Sequence, residues 1–489
     1  MSDHAAKQRT ARVAIVGCGF SGIAAGIGLQ RVGITDFVIF EASDGIGGTW
    51  WKNRYPGAEV DLESHLYAFS YAPEDWTRTH AGRDEIQNYL QRVADEHHLR
   101  EHVVFREQVH SVQWSARESA YHLQTSSGRD WGAFNAIISA VGYLNVPVVP
   151  PFAKEGTFSG VLCHTSQWPD GIDLTGKRVG VAGTGSSAAQ VIAAAAEQAS
   201  VVKIFQSRPS WVLPKKARPF SRLERAAYRH RPLYQLHRLR LLLAYELRQW
   251  RGGHVREGAW SNRRRASAAK TFLSESLASR PELIDVVTPD YPVEGRRTVI
   301  SDDYYRTLLL PNVELVPQPV KGLTPHGALD ANGDEHQLDV LVMATGFDAT
   351  NYLGTMRVRG RDGLDLHDVW HGEPRAFLGL MVPRFPNFFM LYGPNTNALP
   401  LPAYFEAQAR FAARAIARLD ARRRTVEVSP QYFTALNTWL YRRLSGTVWA
   451  QTRSYYRTDS GRVVSNWPGT ATSYLLASRV LHHFALRYS

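Results

Sequence analysis

The chain has 489 residues, too many for one ordinary core, so two or three domains are expected. Its 44% hydrophobic and 21% charged residues are those of a globular protein, and its two cysteines exclude a disulfide framework and a cysteine-held structural zinc. Basic residues outnumber acidic ones by 57 to 45, a formal charge of +12, but no aromatic RNA-binding motif, zinc finger or basic zipper accompanies the excess.

Residues 1–10 are polar and lack the apolar core of a signal peptide. No apolar run reaches the ~18 residues of a membrane span, so a cytoplasmic protein without a transmembrane segment is expected. Residues 12–16 form a short apolar strand, followed by a glycine loop, a small-residue helix over 21–31 and a second strand over 37–40. The same order returns later: a strand over 178–182, a glycine loop, a helix through Gln190 to residue 199, and a strand over 201–205. Each is a βαβ unit, so the fold class is α/β with two Rossmann-like dinucleotide-binding domains. Pro147, Pro150 and Pro151 mark a crossing between them. A helical pattern over about 222–283 reads as an insertion in the second fold. The basic excess concentrates there, between Arg218 and Arg265, and reads as a solvated helical face. Both a cover over a substrate entrance and a contact surface fit it. A buried-type strand over 338–343 and a helix over about 403–420 follow. The expected division is 1–150 with 330–489 for one nucleotide domain, and 151–329 for the other, with its insertion at about 215–290.

The first loop reads Gly-Cys-Gly-Phe-Ser-Gly from Gly17. Gly17 permits the tight turn, Gly19 lets a pyrophosphate approach, and Gly22 lets helix and strand pack. The helix N-terminus then faces the phosphates. Glu41 ends the second strand, where a carboxylate accepts hydrogen bonds from ribose hydroxyls and repels a 2′-phosphate. This loop is therefore assigned FAD or NAD. The second loop, Gly183-Thr184-Gly185-Ser186-Ser187-Ala188, is followed after its second strand by Gln206, Ser207 and Arg208, with no acid. A cation there favours the 2′-phosphate of NADPH, with Arg296 and Lys203 as further phosphate candidates. Two nucleotides on one chain imply hydride transfer from NADPH to a flavin.

Two further motifs carry a family resemblance. One is Gly47-Gly48-Thr49-Trp50-Trp51-Lys52-Asn53-Arg54-Tyr55-Pro56-Gly57-Ala58-Glu59-Val60-Asp61. The other is Phe158-x-Gly160-x-x-x-His164-x-x-x-Trp168-Pro169, lying between the two glycine loops. With the segment from Ala344 to Asp348, they make the chain resemble the Baeyer–Villiger monooxygenases over residues 12 to about 397. The Trp-Pro ending separates it from flavin monooxygenases acting on nitrogen and sulfur.

In that family NADPH reduces FAD, O₂ adds at flavin C4a, and the peroxyflavin attacks a ketone. A tetrahedral intermediate then rearranges to an ester or lactone. The resemblance implies Arg297 as the catalytic cation and Asp61 as the acid that orients it. It implies FAD contacts at Gly17, Gly19, Phe20, Ser21, Gly22, Glu41, Gly48, Thr49, Trp50, Asp61, Tyr67 and Val109. NADP contacts are implied at Gly183, Thr184, Gly185, Ser186, Ser187, Gln190, Arg208, Arg296, Thr345 and Gly346. Phe158, Gly160, His164 and Trp168 are implied to couple the domains rather than perform the oxidation. The expected partners are a small-molecule ketone and O₂, with no nucleic acid and no metal, in a monomer or homodimer. The chain departs from the family at Ser207–Arg208, where its arginine comes one residue late, at Tyr143, and at Ser454-Tyr455-Tyr456. Trp211, Trp449 and Tyr455 are candidate pocket aromatics. The runner-up activity is oxygenation of a sulfur or nitrogen atom. A flavin disulfide reductase would need a cysteine pair, and Cys18 and Cys163 are far apart in sequence.

Overall fold

The computed structural model describes residues 12–398 and 400–489. The expectation for residues 1–10 lies outside them. Two five-stranded parallel sheets organise the chain. The first runs in the order Phe388–Met390, Ala136–Ser139, Val13–Val16, Phe37–Phe40, Val103–Val104. The second runs Val313–Val316, Val201–Phe205, Arg178–Ala182, Val340–Met343, Val161–His164. Val13–Val16, Ala136–Ser139 and Val340–Met343 are buried along their whole length. That is why they read as unbroken apolar runs rather than alternating ones.

Each sheet carries a small three-stranded companion, Val109–Ser115 with Ala120–Thr125 and Arg357–Arg359 beside the first, and the meander Val320–Thr324, Gly327–Asp330, Glu335–Gln337 beside the second. The helix Phe20–Gln30 is buried from Phe20 to Ile27 and again at Leu29. The helix Leu401–Ile416, first of the C-terminal segment, covers it, and at Gly28 any Cβ would stand 3.3 Å from the Ala409 carbonyl oxygen. The C-terminal segment thereby shares one core with the first sheet.

The strand Val340–Met343 lies inside the second sheet, between Val161–His164 and Arg178–Ala182. The second unit therefore runs past the expected boundary at 330, because an apolar strand reads alike whichever parallel sheet accepts it. The chain crosses between units twice, and the crossings lie together. Val148 N–H donates to Gly346 O at 2.9 Å, Asp348 N–H donates to Val146 O at 2.9 Å, and Pro147 bridges Phe347.

The insertion is not one helix but Arg222–Tyr228, Arg231–Gln249, Trp260–Ser276 and Glu282–Val287, with a 3₁₀ turn at Trp250–Val255. Ser221 and Glu224 form a capping box that starts the first of these. The insertion touches both units: Tyr245 and Val255 join the first core, and Leu273, Leu277 and Leu283 join the second. Among the described residues, no helix is long and apolar enough to cross a membrane.

Candidate functional site

The two glycine loops are built alike. Gly17 has φ +100° and Gly183 has φ +130°, a region that side chains rarely adopt. A Cβ on Gly17 would lie 2.8 Å from the Ala140 carbonyl oxygen, and one on Gly183 would lie 2.5 Å from that of Ala344. Each loop therefore turns against the end of a neighbouring strand.

Around the first loop the surroundings are closed. A Cβ on Gly48 would stand 2.9 Å from the Cα of Gly19, so two bare backbones face each other. Phe20, Ser21 and Gly22 form the first helical turn, and Ser21 Oγ donates to Ala140 O at 3.2 Å. Glu41 is buried, accepting from Cys18 N–H at 2.7 Å and from Ser43 N–H at 2.8 Å. Thr49 and Trp50 open a short helix, and Trp50 Nε1–H donates to the Tyr67 hydroxyl at 3.2 Å. The Tyr67 ring stands edge-on to Phe20 at 5.0 Å. Val109 begins its strand two residues after Glu107, whose N–H donates to Glu41 O at 2.9 Å. This bare-backbone cradle with a carboxylate at the strand end fits a nucleotide that lacks a 2′-phosphate.

The second loop is open. Nothing lies within 4 Å of where a Gly185 Cβ would be, and the Ser186 hydroxyl is buried with no hydrogen-bond partner. Thr184 Oγ1 donates to Arg208 O at 2.7 Å and so anchors the loop that carries Arg208. Arg208 is exposed, and neither it nor Arg296 has an ion-pair partner among the described residues. Burial, and then the like charges of Arg208 and Arg453, lower the pKa of Arg296. An orphan hydroxyl, an open glycine and two unpaired cations fit an anionic phosphate group. Lys203 does not join them. It sits mid-strand and pairs with Glu314 of the neighbouring strand at 2.9 Å.

Three residues expected at the second nucleotide make contacts between the units instead. Tyr55 donates to Gln190 Oε1 at 2.9 Å and to Ser187 Oγ at 3.2 Å, and Gln190 donates back to Glu59 O at 2.9 Å. Thr345 Oγ1 donates to Val148 O at 2.6 Å. The segment 53–61 thus docks onto the second glycine helix.

At that contact Asp61 forms an ion pair with Arg297, a residue 236 positions away. Both are half-buried. Burial raises the Asp61 pKa, but the Arg297 charge and hydrogen bond outweigh it and hold the carboxyl below its usual range. Asp61 in turn raises the Arg297 pKa well above its usual value, against the effect of burial. The pair is charged throughout the physiological range. Tyr143, Tyr455 and Tyr456 lie within electrostatic reach of the guanidinium, and all three hydroxyls are pushed up by burial. Tyr392 packs edge-on to Tyr143 at 4.8 Å and completes this aromatic wall. Trp449 stands behind Tyr456 at 6.0 Å, whereas Trp211 is core, donating to Tyr291 O at 2.7 Å. Sequence reasoning missed Tyr392 and a second ion pair, buried Lys215 with Glu59 at 2.6 Å. Glu59 stands two residues before Asp61, and that repeat of carboxylates was the available signal.

The His164 motif lies beside the crossing. Ser166 N–H donates to His164 Nδ1 at 3.1 Å, so Nδ1 is an acceptor and Nε2–H donates to Gly346 O at 3.1 Å. Burial lowers the His164 pKa, and the bond to Gly346 only partly opposes this. The ring is neutral and stands edge-on to Phe347 at 5.5 Å. Phe158 folds over Gly160, where a Cβ would meet its ring at 2.5 Å and the Asp339 carbonyl at 2.4 Å. Trp168 packs on the second core and lines a cleft of about 390 Å³ that Trp51 and Arg54 bound from the first unit. Arg54 crosses that cleft to Asp170 at 3.0 Å.

Comparison with known proteins places this geometry. The family model described as pyridine nucleotide-disulphide oxidoreductase matches residues 14–225. Disulfide chemistry does not follow, because Cys18 and Cys163 are free and buried, one in the first glycine loop and the other in a strand of the second sheet. A Baeyer-Villiger monooxygenase of Pseudomonas aeruginosa is 35% identical over 481 residues, 95% of this chain and 89% of that protein. A phenazine N-monooxygenase of Lysobacter antibioticus is 32% identical, over 82% of this chain and 81% of that protein. A solved steroid monooxygenase bound to NADP superposes with a TM-score of 0.88 at 29% identity, covering 98% of this chain and 99% of that one.

Proposed function

The chain belongs to the Baeyer–Villiger monooxygenases, and from that premise we propose that it inserts one oxygen atom beside the carbonyl of a small ketone, giving an ester or lactone. It is an NADPH-dependent flavin monooxygenase, with FAD and NADP as its cofactors. The observation that carries the proposal is the ion pair of Asp61 and Arg297, set among tyrosines where the two nucleotide folds meet.

Bound FAD would supply the redox chemistry of the reaction, electron-pair acceptance from NADPH and activation of O₂. The residues do the rest by placement. Gly19, Gly48 and Glu41 would hold the flavin nucleotide, and Ser186, Arg208 and Arg296 would hold the 2′-phosphate nucleotide. Arg297 keeps a proton that Asp61 will not let it lose, so it offers a permanent cation to negative oxygen. Asp61 accepts from one arm of the guanidinium, which leaves other N–H groups that could donate to negative oxygen. The tyrosine wall keeps water from competing for them. His164 bonds the Gly346 carbonyl, which also accepts from Val148 N–H, so the motif and both crossing segments meet at one carbonyl.

The nitrogen-oxidising relative supports a second reading, transfer of the same oxygen to a nitrogen or sulfur atom. One experiment decides between them. The FAD-loaded enzyme is given NADPH, O₂ and a panel of ketones, amines and sulfides, and products are weighed by mass spectrometry. Esters or lactones one oxygen heavier than the ketones are expected. Oxygenated amines or sulfides with untouched ketones would replace the proposal by the second reading.

A further inference from the structure

The helix Arg231–Gln249 is turned inside out. Its inner face buries Tyr234, Arg238, Tyr245 and Gln249. Arg238 donates to His65 O and, at 3.1 Å, to Ala68 O; Tyr245 donates to Glu63 at 2.8 Å; Gln235 donates to Ser70 O at 3.1 Å. These bonds fix the rotation of the helix. The opposite face carries Leu233, Leu236, Leu239, Leu243 and Leu247, which are 45–76% exposed. Spacings of three and four residues put all five on one side. Beside them, across a cavity of about 470 Å³, the helix Ala471–Ala485 presents Leu476, Val480 and Phe484, which are 51–63% exposed. Exposed leucines standing singly are ordinary, whereas contiguous apolar stripes on two neighbouring helices mark a surface that something covers.

The charges beside the stripes identify the occupant. Helix Ala471–Ala485 carries Arg479, His482 and His483 and no acid. The one acid of helix Arg231–Gln249, Glu246, already accepts from Thr472 N–H at 3.0 Å. Glu406, in the cavity wall, accepts from the Ser70 N–H and hydroxyl at 2.6 Å each. Arg410, Arg414 and Arg479 line the same cavity and have no ion-pair partner among the described residues. The acids are engaged and the cations are free. Two copies of this face would set arginine against arginine, whereas an anionic interface satisfies both the leucines and the arginines. Neither glycine loop nor the pair of Asp61 and Arg297 lines the cavity.

We propose that helices Arg231–Gln249 and Ala471–Ala485 form a docking face for an anionic phospholipid surface, with the leucines at the acyl boundary and Arg410, Arg414 and Arg479 at lipid phosphates. The helices lie on the membrane and do not span it.

The test is cosedimentation of the FAD-loaded enzyme with vesicles of phosphatidylglycerol and phosphatidylcholine, or of phosphatidylcholine alone. Binding to the mixed vesicles is expected, weakening as salt rises. Leu239→Gln with Leu243→Gln should weaken it by about tenfold or more, since the apolar area that enters the interface is removed. Arg410→Gln with Arg479→Gln should weaken it on mixed vesicles. Flavin absorbance and NADPH oxidation should stay unchanged in both variants, which shows that they fold. No binding to any vesicle, equal binding to both compositions, or full binding by the leucine variant would overturn the proposal. So would a concentration-dependent dimer, seen by sedimentation velocity, that the leucine variant dissolves.

Discussion

In the first nucleotide fold the strand Phe37–Phe40 runs into Glu41, which is buried and bonded to two backbone amides. In the second, the matching strand Val201–Phe205 runs into Gln206, Ser207 and the exposed Arg208. The first loop faces another bare backbone at Gly48, while the second faces open space at Gly185. One plan thus has two finishes. A closed cradle with a carboxylate suits a nucleotide that stays through many turnovers, and an open one with cations suits a nucleotide that arrives and leaves. The segment 53–61 joins them, reaching from the closed cradle to the open loop's helix and carrying Asp61 to Arg297.

The largest effect is expected where the two folds meet. Arg297→Ala should lower ester or lactone formation by roughly 100- to 1000-fold, the worth of one fixed charge donor at a reacting oxygen. NADPH-driven flavin bleaching, followed anaerobically by stopped flow, should change by only a few-fold, because each cradle is left whole. Normal product yield in this variant would remove Arg297 from the reaction. Arg208→Ala comes next and tests the open cradle. It should cut kcat/KM for NADPH by about 10- to 100-fold, since a charge-assisted phosphate contact is lost, and leave that for NADH nearly unchanged. Equal losses with both cofactors would show that Arg208 does not read the 2′-phosphate.

Glu41→Ala tests the closed cradle. It strips partners from the amides of Cys18 and Ser43 and removes the proposed acceptor for ribose hydroxyls. Flavin titration of the apoprotein should show FAD held more weakly by about 1–3 kcal/mol, with Glu41→Gln in between. If Glu41→Ala keeps its flavin and loses cofactor selectivity instead, the two nucleotides have been assigned to the wrong folds.

The parts of this molecule that a local rule dictates were legible in the sequence. A strand, a tight turn and a helix N-terminus demand glycine at 17 and 183, and the acid at 41 follows at fixed spacing. The strands around both loops were placed to within a residue or two for the same reason. The partnership of Asp61 and Arg297 was reached through a family pattern, because 236 intervening residues hide it from spacing. Lys203 looked like a phosphate ligand until the neighbouring strand supplied Glu314. Lys215 drew no notice because its partner, Glu59, comes from the other unit. The insertion's periodicity was visible and its basic residues read as a solvated face, but the leucine stripe on its exposed side drew no notice. The exposure of the leucines, with the inward hydrogen bonds of Arg238 and Tyr245, shows that they point outward.

The smallest expected effect concerns how the two folds are held together. His164 is neutral when folded because burial lowers its pKa below the usual 6.5. Between the lowered value and 6.5 the unfolded chain binds a proton there that the folded chain does not. The stability His164 contributes is therefore fully present above pH 6.5 and is lost as pH falls through the folded pKa. Protonation would place a hydrogen on Nδ1 against the Ser166 N–H, so the contact beside the crossing loosens as well. His164→Gln removes the titration and keeps a hydrogen-bonding side chain. Thermal unfolding of the two proteins above and below pH 6.5 should show a shallower acid-side decline in the variant. Other buried histidines, such as His65 and His254, titrate equally in both proteins and cancel from the difference. Parallel declines would mean that His164 carries the same charge folded and unfolded, and that its bond to Gly346 does not depend on a neutral ring.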